Sequence, residues 1–124
     1  MLRRILTRRH FSSSPLITRV KTRDIRFPTS NTLEGSDSLH TNPNYSCAYV
    51  TLETDTPRTQ GNGIIFTIGK GTDVAAKCVQ DLAYIVEGSS LQQITQAFPS
   101  YLSRLANEPQ LRWLGPEKGA VHLA

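Results

Sequence analysis

The chain has 124 residues, 38% of them hydrophobic, with a formal net charge of +4 at pH 7. That is enough for one small domain and too little for a (β/α)8 barrel, which needs at least about 200 residues. No apolar run nears the ~18 residues of a membrane span, and two cysteines make neither a disulfide-dense scaffold nor a four-cysteine zinc site.

The charge is unevenly placed. Residues 1–26 hold eight basic side chains and one acid, whereas residues 27–124 hold six basic and nine acidic ones. A basic leader thus precedes a mildly acidic body. Residues 1–18, MLRRILTRRHFSSSPLIT, contain four Arg, a serine cluster and no acid. On a helix Leu2, Ile5 and Leu6 share a stripe, with Arg4, Arg8 and Arg9 mostly off it. This is the composition of a mitochondrial transit peptide, and Arg9-His10-Phe11-Ser12 resembles a processing site with cleavage before Ser12. The competing reading is a basic arm that touches nucleic acid. In a reducing matrix Cys47 and Cys78 are expected to be packed thiols.

Residues 17–27 alternate imperfectly, as a strand stopped by Pro28. Residues 28–44 are rich in Pro, Ser, Thr, Asn and Gly and carry no period. A loop of that length in a compact domain is usually functional or disordered. From Tyr45 to Glu53 the alternation is clean, with Ser46, Ala48, Val50 and Leu52 on one face and Tyr45, Cys47, Tyr49 and Thr51 on the other. TDTPRTQGN reads as a turn, and Ile64, Phe66 and Ile68 share one face of a third strand. Three strands joined in this way predict an antiparallel meander.

After Gly71 the period becomes helical. Thr72 is the predicted N-cap, Asp73 suits the positive helix end, and Val74, Cys78, Leu82, Ile85 and Val86 line one face up to a stop at Gly88. Ser90 and Gln93 form a capping box for a second helix with Leu91, Ile94, Phe98, Tyr101 or Leu102, and Leu105 at helical spacing. Pro99 either kinks that helix or starts a new one. Gly115–Gly119 is a turn, and Ala120–Ala124 reads as the opening of a further helix, so the chain is expected to be C-terminally truncated.

Catalytic constellations are sparse. His10, His40 and His122 have no metal-ligand spacing. Asp37 and His40 share the long loop and either pair or stand as solvated polar groups. Gly61-Asn62-Gly63 and Gly69-Lys70-Gly71-Thr72 lack the full dinucleotide and phosphate-loop patterns. Cys78, on an apolar helix face, is poorly placed as a nucleophile.

Four strings occur in order: Arg23-Asp24-Ile25-Arg26-Phe27-Pro28-Thr29-Ser30, Leu39-His40-Thr41-Asn42-Pro43-Asn44-Tyr45-Ser46, Phe66-Thr67-Ile68-Gly69-Lys70-Gly71-Thr72, and Gln110 through Ala124 (QLRWLGPEKGAVHLA). Together, from about residue 19 to the end, they resemble the N-terminal region of the L-fuconate dehydratases, mitochondrial members of the enolase superfamily related to mandelate racemase and muconate lactonizing enzyme.

The resemblance implies an α+β capping domain over residues 19–124, a three-stranded antiparallel meander followed by helices, with no barrel in this chain. It implies that the first loop covers a sugar-acid substrate, with contacts at Gly35, Ser36, Asp37 and Tyr45, Ser36 through a small-residue position. The family is a magnesium-dependent hydro-lyase of carbohydrate acid catabolism. Its base and three carboxylate ligands stand on a (β/α)8 barrel, so no catalytic or metal residue is assigned here. The expected function is therefore a lid, catalytically incomplete alone, in the mitochondrial matrix, with the barrel as partner and with neither nucleic acid nor membrane bound. The alternatives are a stand-alone mitochondrial interaction module and an organellar RNA-associated protein. The acidic body, without a basic stripe, counts against the latter.

Overall fold

The structure, a computed structural model, describes residues 14–109. The outer parts of the leader, the Gly115–Gly119 turn and the apolar C-terminal segment lie outside the described residues. Three strands, β1 (Ile17–Arg26), β2 (Ser46–Thr54) and β3 (Gln60–Thr67), precede three helices, α1 (Thr72–Val86), α2 (Leu91–Gln96) and α3 (Phe98–Ala106). The sheet order is β1-β2-β3, antiparallel throughout, so the α+β meander stands as expected.

β2 is the central strand, and its alternation sets the two faces. Ser46, Ala48 and Val50 turn inward and are buried, while Cys47, Tyr49 and Thr51 lie on the outer face. Pairing places Ile65 opposite Ala48, Gly63 opposite Val50 and Gly61 opposite Leu52. The inner face of β3 is therefore Gly61, Gly63, Ile65 and Thr67, with one large apolar side chain among them. A Cβ on Gly61 would meet the Leu52 side chain at 3.4 Å. β3 begins at Gln60, four residues before the predicted start, because Gln60, Gly61 and Asn62, read as the end of the turn, are strand residues paired with β2.

The apolar row Ile64, Phe66 and Ile68 does share a face, and it is the outer one: these side chains are 59%, 64% and 45% exposed. α1 covers the inner face with Ala75, Ala76, Cys78, Val79, Leu82 and Ile85. Small Ala48, Ala75 and Ala76 let helix and sheet approach closely, a condition of dense packing. Val74, expected on this stripe, is instead 46% exposed, since the buried arc runs through Ala75, Val79 and Leu82.

Thr72 is not the N-cap. Gly71, with φ +93°, precedes the helix, no side chain caps it, and Thr72 is its first residue. Its hydroxyl is buried, donates to the Gly69 carbonyl at 3.1 Å, and lies 2.6 Å from the Thr67 hydroxyl. It thereby ties β3 to α1. The capping box at α2 is present: the Gln93 amide N–H donates to Ser90 Oγ, and the Ser90 N–H donates to Gln93 Oε1. Pro99 starts a new helix, with Ala97 between α2 and α3. No disulfide joins Cys78, buried on α1, to half-buried Cys47.

Two features bear on the ends of the unit. Ile17 is buried, and its N–H donates to the Ser89 carbonyl at 2.9 Å, so Leu16 and Ile17 belong to the folded body. On the helix side, Val20, Leu52, Val86, Phe98, Leu102 and Leu105 line an apolar hollow of about 220 Å3. Among the described residues no helix is long and apolar enough to cross a membrane.

Candidate substrate-covering loop

The loop that joins β1 to β2 is built by its own polar side chains. The Phe27 N–H donates to the Tyr45 carbonyl at 2.9 Å and brings the loop ends together. Thr29 opens a single 3-10 turn, Thr29–Asn31. Its hydroxyl donates to the Pro43 carbonyl at 2.8 Å and accepts the Tyr45 N–H at 3.0 Å. Ser30 Oγ donates to Asn44 Oδ1 at 2.6 Å. The side chains of Thr29, Thr32, Ser36 and Asn44 thus bond backbone groups, as such residues do outside regular structure.

At the tip, Leu33 and Gly35 take positive φ values, 56° and 70°. Gly35 is required twice over. Its φ favours glycine, and a Cβ there would sit 1.8 Å from the Tyr45 hydroxyl oxygen. That hydroxyl donates to the Gly35 carbonyl at 3.0 Å. The Tyr45 ring packs on Phe66, with centroids 5.7 Å apart and planes at 44°.

Asp37 organises the next turn. Its Oδ1 accepts the Leu39 and His40 backbone N–H groups at 2.8 and 2.7 Å, and His40 Nδ1 lies 3.3 Å from Oδ2. These donors favour the carboxylate, first the His40 and Leu39 backbone N–H groups and then the His40 ring, and they hold Asp37 below its ordinary value.

Gly35, Asp37 and Tyr45 line one hollow of about 270 Å3, with His40, Pro43, Phe66 and Ile68. Ser36 is not part of its lining; its hydroxyl turns back to the Leu33 carbonyl at 2.8 Å. Three of the four residues implied by the resemblance are therefore brought together. The walls at the end of β3 and just past it, Phe66 and Ile68, had a sequence signal in their apolar alternation, but not one that pointed to this loop. His40 had one in its spacing from Asp37.

The hollow suits a small polar ligand resting on an apolar floor, with hydroxyl, carboxylate and imidazole groups at its rim. Magnesium is the ion that the resemblance implies. Among the described residues no three His, Cys, Asp or Glu side chains gather where an ion could be held. Asp37, the one carboxylate of the hollow, already accepts from its own loop. These residues do not fit a magnesium site, and no step here runs through the ion.

No protein-family model matches the chain. It is 49% identical over 109 residues to human mitochondrial enolase superfamily member 1, covering 87% of this chain and 25% of that protein. It is 41% identical over 112 residues to L-galactonate dehydratase of Hypocrea jecorina, covering 90% of this chain and 25% of that one. The crystal structure of the human mitochondrial enolase superfamily member 1 superposes with a TM-score of 0.80 at 46% identity, over 88% of this chain and 25% of that chain. The chain thus spans about a quarter of the length of the relatives it matches. With the meander, the helix order and this level of identity in agreement, the chain belongs to the enolase superfamily, as an N-terminal domain of that superfamily.

Proposed function

We propose that this domain is the lid of a sugar-acid dehydratase of the L-fuconate dehydratase kind. Its first loop covers the substrate, and Gly35, Ser36, Asp37 and Tyr45 form the covering surface. The observation that carries this reading is the loop's construction. Seventeen residues with a single 3-10 turn as their regular structure are held in one shape by their own hydrogen bonds, and three of the four candidate residues line one hollow. A preformed cover excludes water and orients hydroxyl groups without ordering a loop on binding.

The chemistry of proton removal and water loss belongs in this reading to a (β/α)8 barrel, the partner domain, which would also supply the magnesium ligands. The basic leader within residues 1–18 acts as a transit peptide, and the site of action is the mitochondrial matrix. The human relative's designation as a mitochondrial enolase superfamily member supports the organelle. Processing before Ser12 leaves Leu16 and Ile17 in the folded body.

The test uses the full chain labelled with 15N. Millimolar L-galactonate or L-fuconate is expected to move the Gly35, Asp37 and Tyr45 amide resonances in a saturable way. Magnesium with either acid is expected to give no dehydration product. Turnover by this chain alone, or resonances that stay fixed up to the solubility limit of both acids, would overturn the reading.

A further inference from the structure

We propose that His40 is the residue of this loop that recognises the ligand, accepting a hydroxyl proton at Nε2, and that Asp37 is its positioning residue. The inference deepens the lid reading and rests on it. It follows from counting which polar groups of the hollow are still available.

Tyr45 has spent its proton on the Gly35 carbonyl. The Ser36 hydroxyl has spent its own on the Leu33 carbonyl. Asp37, with about four acceptor positions, receives two backbone N–H groups and faces the His40 ring. A carboxylate only accepts, so the imidazole nitrogen facing it carries the proton. In the neutral ring that places the hydrogen on Nδ1 and leaves a lone pair on Nε2. Among the described residues nothing bonds to Nε2, whereas His40 itself lines the hollow.

A carboxylate behind Nδ1 orients the ring and makes the opposite nitrogen a better acceptor, as it does for metal-bound imidazoles. Nε2 therefore meets whatever rests on Phe66 and Ile68. Its match is a ligand with a hydroxyl to donate, which a polyhydroxylated acid provides. An analogue without that hydroxyl leaves the acceptor unpaired, which makes the contact a source of specificity.

The variants separate this role from a structural one. His40→Asn keeps an amide N–H where Nδ1 stood, able to reach Asp37, and deletes Nε2. His40→Gln places an amide near the Nε2 position and gives up the tie to Asp37. The probe is L-galactonate, titrated into the full chain and followed through the imidazole 15N signals and the loop amides. Wild type is expected to show the Nε2 signal moving upfield with saturation. His40→Asn is expected to bind about three- to tenfold more weakly, the loss of one hydrogen bond, with its Leu39 amide unmoved before ligand is added. His40→Gln is expected to recover part of the loss. If Gly35 and Tyr45 respond while Nε2 stays fixed, or if His40→Asn binds like wild type, the proposal falls and the lid reading stands. If no resonance moves, both fall.

Discussion

The Tyr45 hydroxyl and the Gly35 carbonyl are ten residues apart in sequence and 3.0 Å apart in space, because the β1–β2 register brings both ends of the loop to the same edge. Gly35→Ala places a methyl group into the space of that hydroxyl and holds φ where an L side chain is strained, at a cost of about 1–3 kcal/mol. The expected result is local opening, with hydrogen exchange at the Asp37 amide faster by about tenfold or more. In a Tyr45→Ala background the added effect of Gly35→Ala shrinks, since only the φ strain is left. Equal effects in both backgrounds would remove the steric account. Asp37 adds a pH dependence. Its folded pKa lies below the ordinary value of 3.8, so its contribution is complete above that value and fades as pH falls through the lower folded one. The Leu39 and His40 amide shifts should therefore titrate below pH 3.8, and in Asp37→Asn that titration should vanish. The resemblance supplied Gly35, Asp37 and Tyr45 by residue type. That the Tyr45 proton is already committed to Gly35 was not legible, because it depends on where two strands pair.

At the scale of elements, both kinds of helix start occur, and only one could be read from the sequence. The Ser90–Gln93 box is a contact between residues three apart, so spacing alone announces it. Thr72 resembles a cap by the same local rule, yet its hydroxyl is turned into the core and holds the Gly69 carbonyl and the Thr67 hydroxyl. Ser90→Ala should cost about 1 kcal/mol of stability in a denaturant titration. Thr72→Val should cost more, about 1–3 kcal/mol, because it leaves a carbonyl and a hydroxyl beside the core without a partner. The reverse order would return Thr72 to the role of an ordinary cap. The third strand has a similar history. Its alternation announced a strand correctly, but period two cannot say which face meets the helix. The glycines settled that: opposite Leu52 and Val50 they offer no side chain to bury, so Ile65 turns inward while Ile64 and Phe66 turn outward.

For the whole molecule, the consequence is two apolar surfaces on opposite sides of one sheet. On the outer side Ile64 and Phe66 are 59% and 64% exposed; on the helix side Phe98 and Leu102 are 54% and 39% exposed, and they border the apolar hollow. Surfaces of this kind drive association when nothing covers them. The two sides differ in shape and charge. On the outer face the register sets Arg23 beside Tyr49, Lys21 beside Thr51 and Arg19 beside Glu53, whose carboxylate pairs with Lys21; the row stays net basic, and two copies would bring it together unfavourably. The helix side is concave and carries no such row among its lining residues. The isolated chain is therefore expected to self-associate through the helix side, read as a concentration-dependent sedimentation coefficient and as binding of an apolar dye. Leu102→Gln should lower both, while Ile64→Thr, which keeps a β-branched residue on its strand, should change them little. Each site is exposed enough that stability should move by less than about 1 kcal/mol, so a change in association would not be unfolding in disguise. Should Ile64→Thr alone abolish association, the outer row of β3 would be the adhesive face, and the basic row on β1 would have no protective part.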